Sequence, residues 1–94
     1  MDDDKTQKAI SRGARAKALL DNELLNDSFD KLEGNYLDAW KATSPLQTDV
    51  REKLWVAFQL VGKLREQLRT VVDGGKIAQA ELNRAIALEK SRQR

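Results

Sequence analysis

Residues 49–73, DVREKLWVAFQLVGKLREQLRTVVD, decide the fold. Their apolar side chains recur at alternating steps of four and three residues, the a/d rhythm of a helix whose seam faces another helix. The seam comprises Val50, Leu54, Ala57, Val61, Leu64, Leu68 and Val71. Asp49, with Glu52 three residues on, forms a capping box at the start, and Ser44 before Pro45 is an alternative start. The stretch predicts one long helix whose seam is either core or an intersubunit coiled coil.

A pair of glycines, Gly74 and Gly75, follows this helix and predicts its end. Glycine adopts the left-handed conformation that closes many helices at the lowest cost. A further helix is expected over residues 76–90, with a narrow apolar stripe of Ala78, Leu82, Ala85 and Ile86 (or Leu88). Because the two-residue turn is short, we expect this last helix to fold back along the long one as an αα-hairpin.

Two earlier helices are predicted on the N-terminal side of the long helix. Residues 8–20 form a weak, alanine-rich helix, and residues 23–43 form a strong one. The apolar stripe of the strong helix consists of Leu25, Phe29, Leu32, Tyr36, Ala39 and Trp40. We expect this stripe to pack on the seam and to bury Leu64 in its middle. Gly34 lies midway along the strong helix, and the sequence leaves open whether it breaks that helix.

The fold class that follows is all-α. The chain has 94 residues, one proline and no strand-like alternation, which suits a single small domain. We expect a small helical bundle built on one long central helix and an αα-hairpin. Residues 1–20 are expected to be a basic arm or weak helix, residues 21–90 the helical domain, and residues 91–94 a loose basic tail.

Composition excludes several kinds of site. The chain has no Cys and no His, so disulfides, thiol chemistry, His-based triads and the usual zinc sites are ruled out. The acidic residues of the strong helix lack the spacing of a calcium-binding loop and suit a solvated face better than a cation site: Glu23, Asp27, Asp30 and Asp38. No apolar run is long enough to span a membrane, and no signal peptide is evident. We therefore expect a protein that is not an enzyme and has no metal, cofactor or membrane partner.

Charge is segregated along the chain. Residues 5–20 carry five basic residues and no acid, whereas residues 21–38 carry six acidic residues against Lys31 alone. The last five residues are basic again, with Lys90, Arg92 and Arg94. Such an order suits head-to-tail contacts between subunits, or ends that fold onto the middle of the chain.

Three basic residues of the first helix are candidate phosphate contacts. Lys8, Arg12 and Arg15 are spaced i, i+4 and i+7, so they share one face of the helix. A recognition-helix signature is missing, and basic and aromatic residues do not alternate. A solvated or subunit-docking arm is therefore the favoured interpretation, and nucleic-acid binding is the alternative.

The long helix is apolar on more sides than one hairpin covers. Trp55 and Val56 point away from the seam, and Gly62 beside Trp55 would let another backbone come close. A monomer would leave these side chains in water, a pattern typical of an interface. We expect a homo-oligomer, a dimer or a multiple of dimers, whose interface contains Trp55, Val56, Leu60 and Gly62.

Several short runs resemble one group of proteins. LLN at residues 24–26, YLDAW at 36–40, DVREKLW at 49–55 and DGGKIAQ at 73–79 resemble short helical proteins of tailed phages and prophages. The resemblance covers residues 20–85 and implies an accessory role in virion assembly or on a host factor, without catalytic residues.

Taken with the charge and apolar patterns, this favours a non-enzymatic interaction protein that self-associates, in the bacterial cytoplasm or the virion. The alternative is a small nucleic-acid-binding protein, such as a DNA-packaging accessory that uses the basic ends.

Overall fold

Three helices make up the computed structural model, which describes residues 3–93. They are α1, Asp3–Leu20, α2, Glu23–Lys41, and α3, Thr48–Arg92. No strand occurs among the residues described, so the predicted all-α class is confirmed. Contacts divide the chain into two compact units. The α1 unit combines α1 up to Leu19 with α3 from Leu68 onward, and the α2 unit spans Leu20–Gln67.

The junction between α1 and α2 is closed by two asparagines. Asn22 caps α2, with its side-chain oxygen accepting from the backbone N–H of Leu25 at 2.9 Å. The Asn26 amide donates to the carbonyl of Leu20 at 2.6 Å and to that of Asn22 at 3.1 Å. The Asn22 cap and the bond to the Leu20 carbonyl satisfy backbone groups that the helix ends would otherwise leave unpaired.

We expect Asn22→Ala to lower the free energy of unfolding by about 0.5–2 kcal/mol, because the cap loses its acceptor. Urea unfolding followed by circular dichroism would measure the loss. Asn35→Ala, at an exposed mid-helix position, is the matched control and should change stability little. Equal losses in the two variants would show that the cap contributes nothing specific.

Helix α3 begins at Thr48, between the two starts expected from the sequence. Ser44 and Pro45 lie in the loop, where the backbone N–H of Ser44 donates to the Gln47 side chain at 2.8 Å. Arg51, in the first turn of α3, donates to Thr43 Oγ1 at 2.8 Å and places its guanidinium 4.0 Å from the centre of the Trp40 ring. The start of α3 is thus held against the end of α2.

The predicted break at Gly74 and Gly75 is wrong, and with it the αα-hairpin. Helix α3 continues through both glycines, and neither has a positive φ. Gly75 is buried, and a Cβ added there would lie 2.9 Å from Gly13 Cα and 3.0 Å from the Ala9 carbonyl oxygen. A Cβ on Gly13 would lie 2.8 Å from Gly75 Cα. Gly75 therefore serves the close approach of α1 to α3 rather than a turn.

The structure also shows where Gly34 and parts of the predicted arm and tail lie. Helix α2 runs unbroken through Gly34, where an added Cβ would meet no atom within 4 Å. Residues 3–20 of the predicted arm form α1, and Ser91 and Arg92 of the predicted loose tail belong to α3. Residues 1, 2 and 94 lie outside the described residues. The division into arm, domain and tail stays a prediction.

The α3 side of the seam with α2 differs from the expected one at Val50 and Leu64, which are about half exposed, whereas Leu54, Ala57 and Val61 are half-buried or buried. Phe29 and Val61 are buried, but Leu32 and Leu64, predicted to be core, are 42% and 51% exposed. Arg65 takes the place predicted for Leu64, half-buried against α2. The stripe that faces α2 therefore includes a charged residue.

Arg65 is held by several contacts on α2. Its guanidinium lies 2.6 Å from Asp30 Oδ1, 3.1 Å from Glu33 Oε1 and 5.0 Å from the centre of the Phe29 ring. It also donates to the Asn26 carbonyl at 3.2 Å. Contacts of an arginine with a carboxylate and an aromatic face suit its planar, delocalised charge, and they explain why a cation sits on the helix interface.

Candidate interaction surfaces

Two surfaces could bind partners, one in each unit. The first, here the apolar face, consists of Val50, Val56, Leu60 and Leu64 on α3 within the α2 unit. The second, here the basic groove, lies between α1 and α3 in the α1 unit. It is lined by Lys5, Lys8, Ala9, Arg12, Val71, Gly74 and Gly75.

The apolar face leaves four aliphatic side chains in solvent. Val50, Val56, Leu60 and Leu64 are 46%, 48%, 57% and 51% exposed. Val56, Leu60 and Leu64 follow each other at intervals of four residues, so they lie along one side of α3. Lys53 lies on the same side, where its aliphatic stem can cover apolar surface while its ammonium stays in water.

The predicted interface residues fall on two different sides of α3. Trp55 and Gly62 are seven residues apart and share one side, whereas Val56 and Leu60 belong to the apolar face. The Trp55 ring centre lies 5.6 Å from that of Phe58 and 6.5 Å from that of Trp40, although Trp55 stays 45% exposed. Part of the Trp55 surface therefore packs within the α2 unit. An interface containing these residues stays a prediction.

Gly62 shows no close backbone approach within the described chain. A Cβ added to Gly62 would meet no atom within 4 Å. Val50 and Leu64 fit the a/d rhythm of the seam and were expected there, yet both are about half exposed. A signal was present: Val50, Lys53, Ala57, Leu60 and Leu64 have the same rhythm shifted around the helix.

The predicted phosphate contacts lie together on α1, and two of them, Lys8 and Arg12, line the basic groove. Lys8, Arg12 and Arg15 are exposed along one edge of α1, and Lys5 extends the row by a further turn. Arg12 and Arg15 also line a shallow depression that continues along α1 and α3, with Ala16, Leu19, Leu68 and Val71. Among residues 3–93, Lys5, Lys8, Arg12 and Arg15 form no ion pair. The groove thus has an apolar floor and a rim of unneutralised cations.

Among the described residues, neither surface contains a group of metal-ligating side chains. In the described part of the chain, no three acidic residues come together in a way that could hold a metal ion. Equally, none of the helices described is long and apolar enough to cross a membrane. What the two surfaces offer is apolar area and charge, the properties that bind macromolecules.

Comparison of the chain with protein-family models, curated proteins and solved structures gives no match.

Proposed function

We propose that this is a non-enzymatic interaction protein that self-associates through the apolar face of α3. The observation that carries the proposal is the exposure of Val50, Val56, Leu60 and Leu64, each about half in solvent on one side of a helix whose other side packs on α2. Single exposed leucines are ordinary, but an aligned group of large apolar side chains is typical of an interface.

A second copy is the partner that this face suits best. The a/d rhythm of Val50, Lys53, Ala57, Leu60 and Leu64 lets two such helices interdigitate along a seam. A two-fold pairing would bury the same stripe on both copies, the commonest arrangement in soluble oligomers. In the phage setting that the sequence resemblance implies, such an assembly would act in virion assembly or on a host factor.

Leu60→Glu is expected to weaken self-association at least about tenfold. Burying one leucine contributes about 1.5–3 kcal/mol, and each tenfold in Kd corresponds to about 1.4 kcal/mol. Light scattering over a dilution series measures the mass, and circular dichroism should show the helix content unchanged. Leu46→Glu is the matched control, because Leu46 is 90% exposed in the loop before α3. A wild-type protein that stays monomeric at high concentration would contradict the proposal.

Nucleic-acid binding remains the second candidate, supported by the unneutralised row of Lys8, Arg12 and Arg15. A small packaging accessory would use these cations to release counterions from a phosphate backbone. Its affinity for duplex DNA would then fall steeply with salt. Fluorescence titration of labelled DNA at several salt concentrations distinguishes this candidate from the first, whose apolar contact depends only weakly on salt.

A further inference from the structure

The first turn of α2 presents an apolar side chain surrounded by acids. Leu24 is 77% exposed, more than any other large apolar residue in the described helices. Glu23 precedes it, and Asp27 lies one turn later on nearly the same side of the helix. Neither Glu23 nor Asp27 forms an ion pair with a described residue. We call this group the acidic knob: Glu23, Leu24 and Asp27.

The basic groove has the complementary properties. Ala9 and Val71 provide apolar floor, and Lys5, Lys8 and Arg12 form a cationic rim around it. The groove encloses about 290 Å³, which is room for an aliphatic side chain. Gly74 keeps one wall open, since a Cβ added there would meet no atom within 4 Å.

From this complementarity we infer that the basic groove binds the acidic knob of a second copy of the chain. Leu24 enters the groove over Ala9 and Val71, while Glu23 and Asp27 lie against Lys8 and Arg12 on the rim. Opposite charges give such a contact its register, and the buried leucine gives it apolar area. The inference deepens the proposed self-association and rests on it, but it uses residues outside the apolar face.

The groove suits a helix better than a phosphate backbone. A phosphate backbone would pair with the cations but would leave the apolar floor of Ala9 and Val71 uncovered. An acidic helical turn with a leucine at its centre would pair with the cations and cover the floor. The charge of the chain is consistent with this pairing, because five basic residues in 5–20 stand against a net charge of −5 in 21–38. Groove and knob are different patches, so the contact is head to tail and builds rings or open chains.

Charge exchange between two variants tests the contact. The groove variant is Lys8→Glu with Arg12→Glu, and the knob variant is Glu23→Lys with Asp27→Lys. Both are made in the Leu60→Glu background, so that the apolar face is blocked and the groove contact is measured alone. The background protein should self-associate at about 0.05 M NaCl and weaken at least tenfold at about 0.5 M. Each variant alone should lose that association, and an equimolar mixture should regain it.

Filling the groove without changing its charge gives an independent test. Gly74→Leu should weaken the association at least tenfold. Gly34→Leu, in α2 at a position where an added Cβ meets open space, should leave it unchanged. If Gly74→Leu has no effect, or if the mixture of charge variants stays monomeric, the inference is wrong.

Two further outcomes separate the inference from its alternatives. If the groove variant loses binding to duplex DNA but still self-associates like the background, the groove is a nucleic-acid site and the inference fails. If the background protein does not self-associate at low salt while the wild type does, the apolar face acts alone and only the inference fails. If the Leu60→Glu background self-associates and has the same mass as the wild type, the proposed apolar contact fails while the groove contact stands.

Discussion

Phe29→Ala is expected to lower the free energy of unfolding by about 3–5 kcal/mol, the usual cost of truncating a buried phenylalanine. Phe29 is 9% exposed and belongs, with Val61, to the small set of buried apolar residues in the α2 unit. The Arg65 guanidinium over its ring would lose its aromatic partner as well. Small domains are stable by only about 5–15 kcal/mol, so the urea midpoint should fall sharply.

Leu32→Ala is the matched control, three residues further along α2. The sequence places Leu32 on the same apolar stripe, but its side chain is 42% exposed. A half-exposed leucine buries less area and leaves no closed cavity, so we expect a loss below about 1 kcal/mol. A loss near that of Phe29→Ala would place Leu32 in the core and restore the seam expected from the sequence.

The helices themselves could be predicted from the sequence because their signals are local. Apolar side chains at helical spacing predicted α2 and the first part of α3, and the first two helices, expected to end at residues 20 and 43, end at Leu20 and Lys41. The register of the seam could not be predicted in the same way. Two stripes overlap on α3, one through Leu64 and one through Arg65. The stripe through Leu64 is entirely aliphatic, so the sequence favours it as the core. The observed choice depends on Arg65 meeting Phe29, Asp30 and Glu33, contacts that exist only after α2 has docked.

The candidate surfaces could be predicted only where they depend on the spacing of residues within one helix. Val56 and Leu60 were both expected in an interface, Val56 because it points away from the seam, and both are exposed. Trp55 met the same criterion, yet it packs beside Trp40 of another helix, which no spacing within α3 indicates. The basic row on α1 could be predicted from spacing, whereas the groove beside it also needs Val71 and Gly74 of α3.

At Gly75, the role expected from the local sequence differs most from the role in the fold. From the sequence, a glycine pair after an apolar helix indicates a helix end, because glycine tolerates the left-handed conformation. In the fold, the property used is the missing Cβ, since the backbones of Gly13 and Gly75 meet where α1 packs on α3. Buried residues in this unit are small, with Thr6, Ala16 and Ala78 near the two glycines in sequence. The interface between α1 and α3 is therefore stabilised by close packing of small residues rather than by large side chains.

Gly75→Leu is accordingly expected to destabilise the protein by about 3 kcal/mol, at the upper end for overpacking. Its Cβ would lie 2.9 Å from Gly13 Cα, and backbone atoms on both helices cannot move aside as a side chain would. Urea unfolding measures the loss, and amide hydrogen exchange should show α1 losing protection before α2 does. Gly13→Leu should behave alike, because its Cβ meets Gly75 at 2.8 Å.

Gly74→Leu is the control that isolates the helix contact from helix propensity. Both substitutions remove a glycine from the interior of α3, which favours the helix by up to about 1 kcal/mol. Only a Cβ on Gly75 would collide with α1, because a Cβ on Gly74 meets open space. The two neighbouring variants should therefore change stability in opposite directions, with Gly74→Leu more stable than wild type. If Gly75→Leu were also more stable than wild type, α1 would not pack against α3 through these glycines. The α1 amides would then be equally protected from hydrogen exchange in both variants.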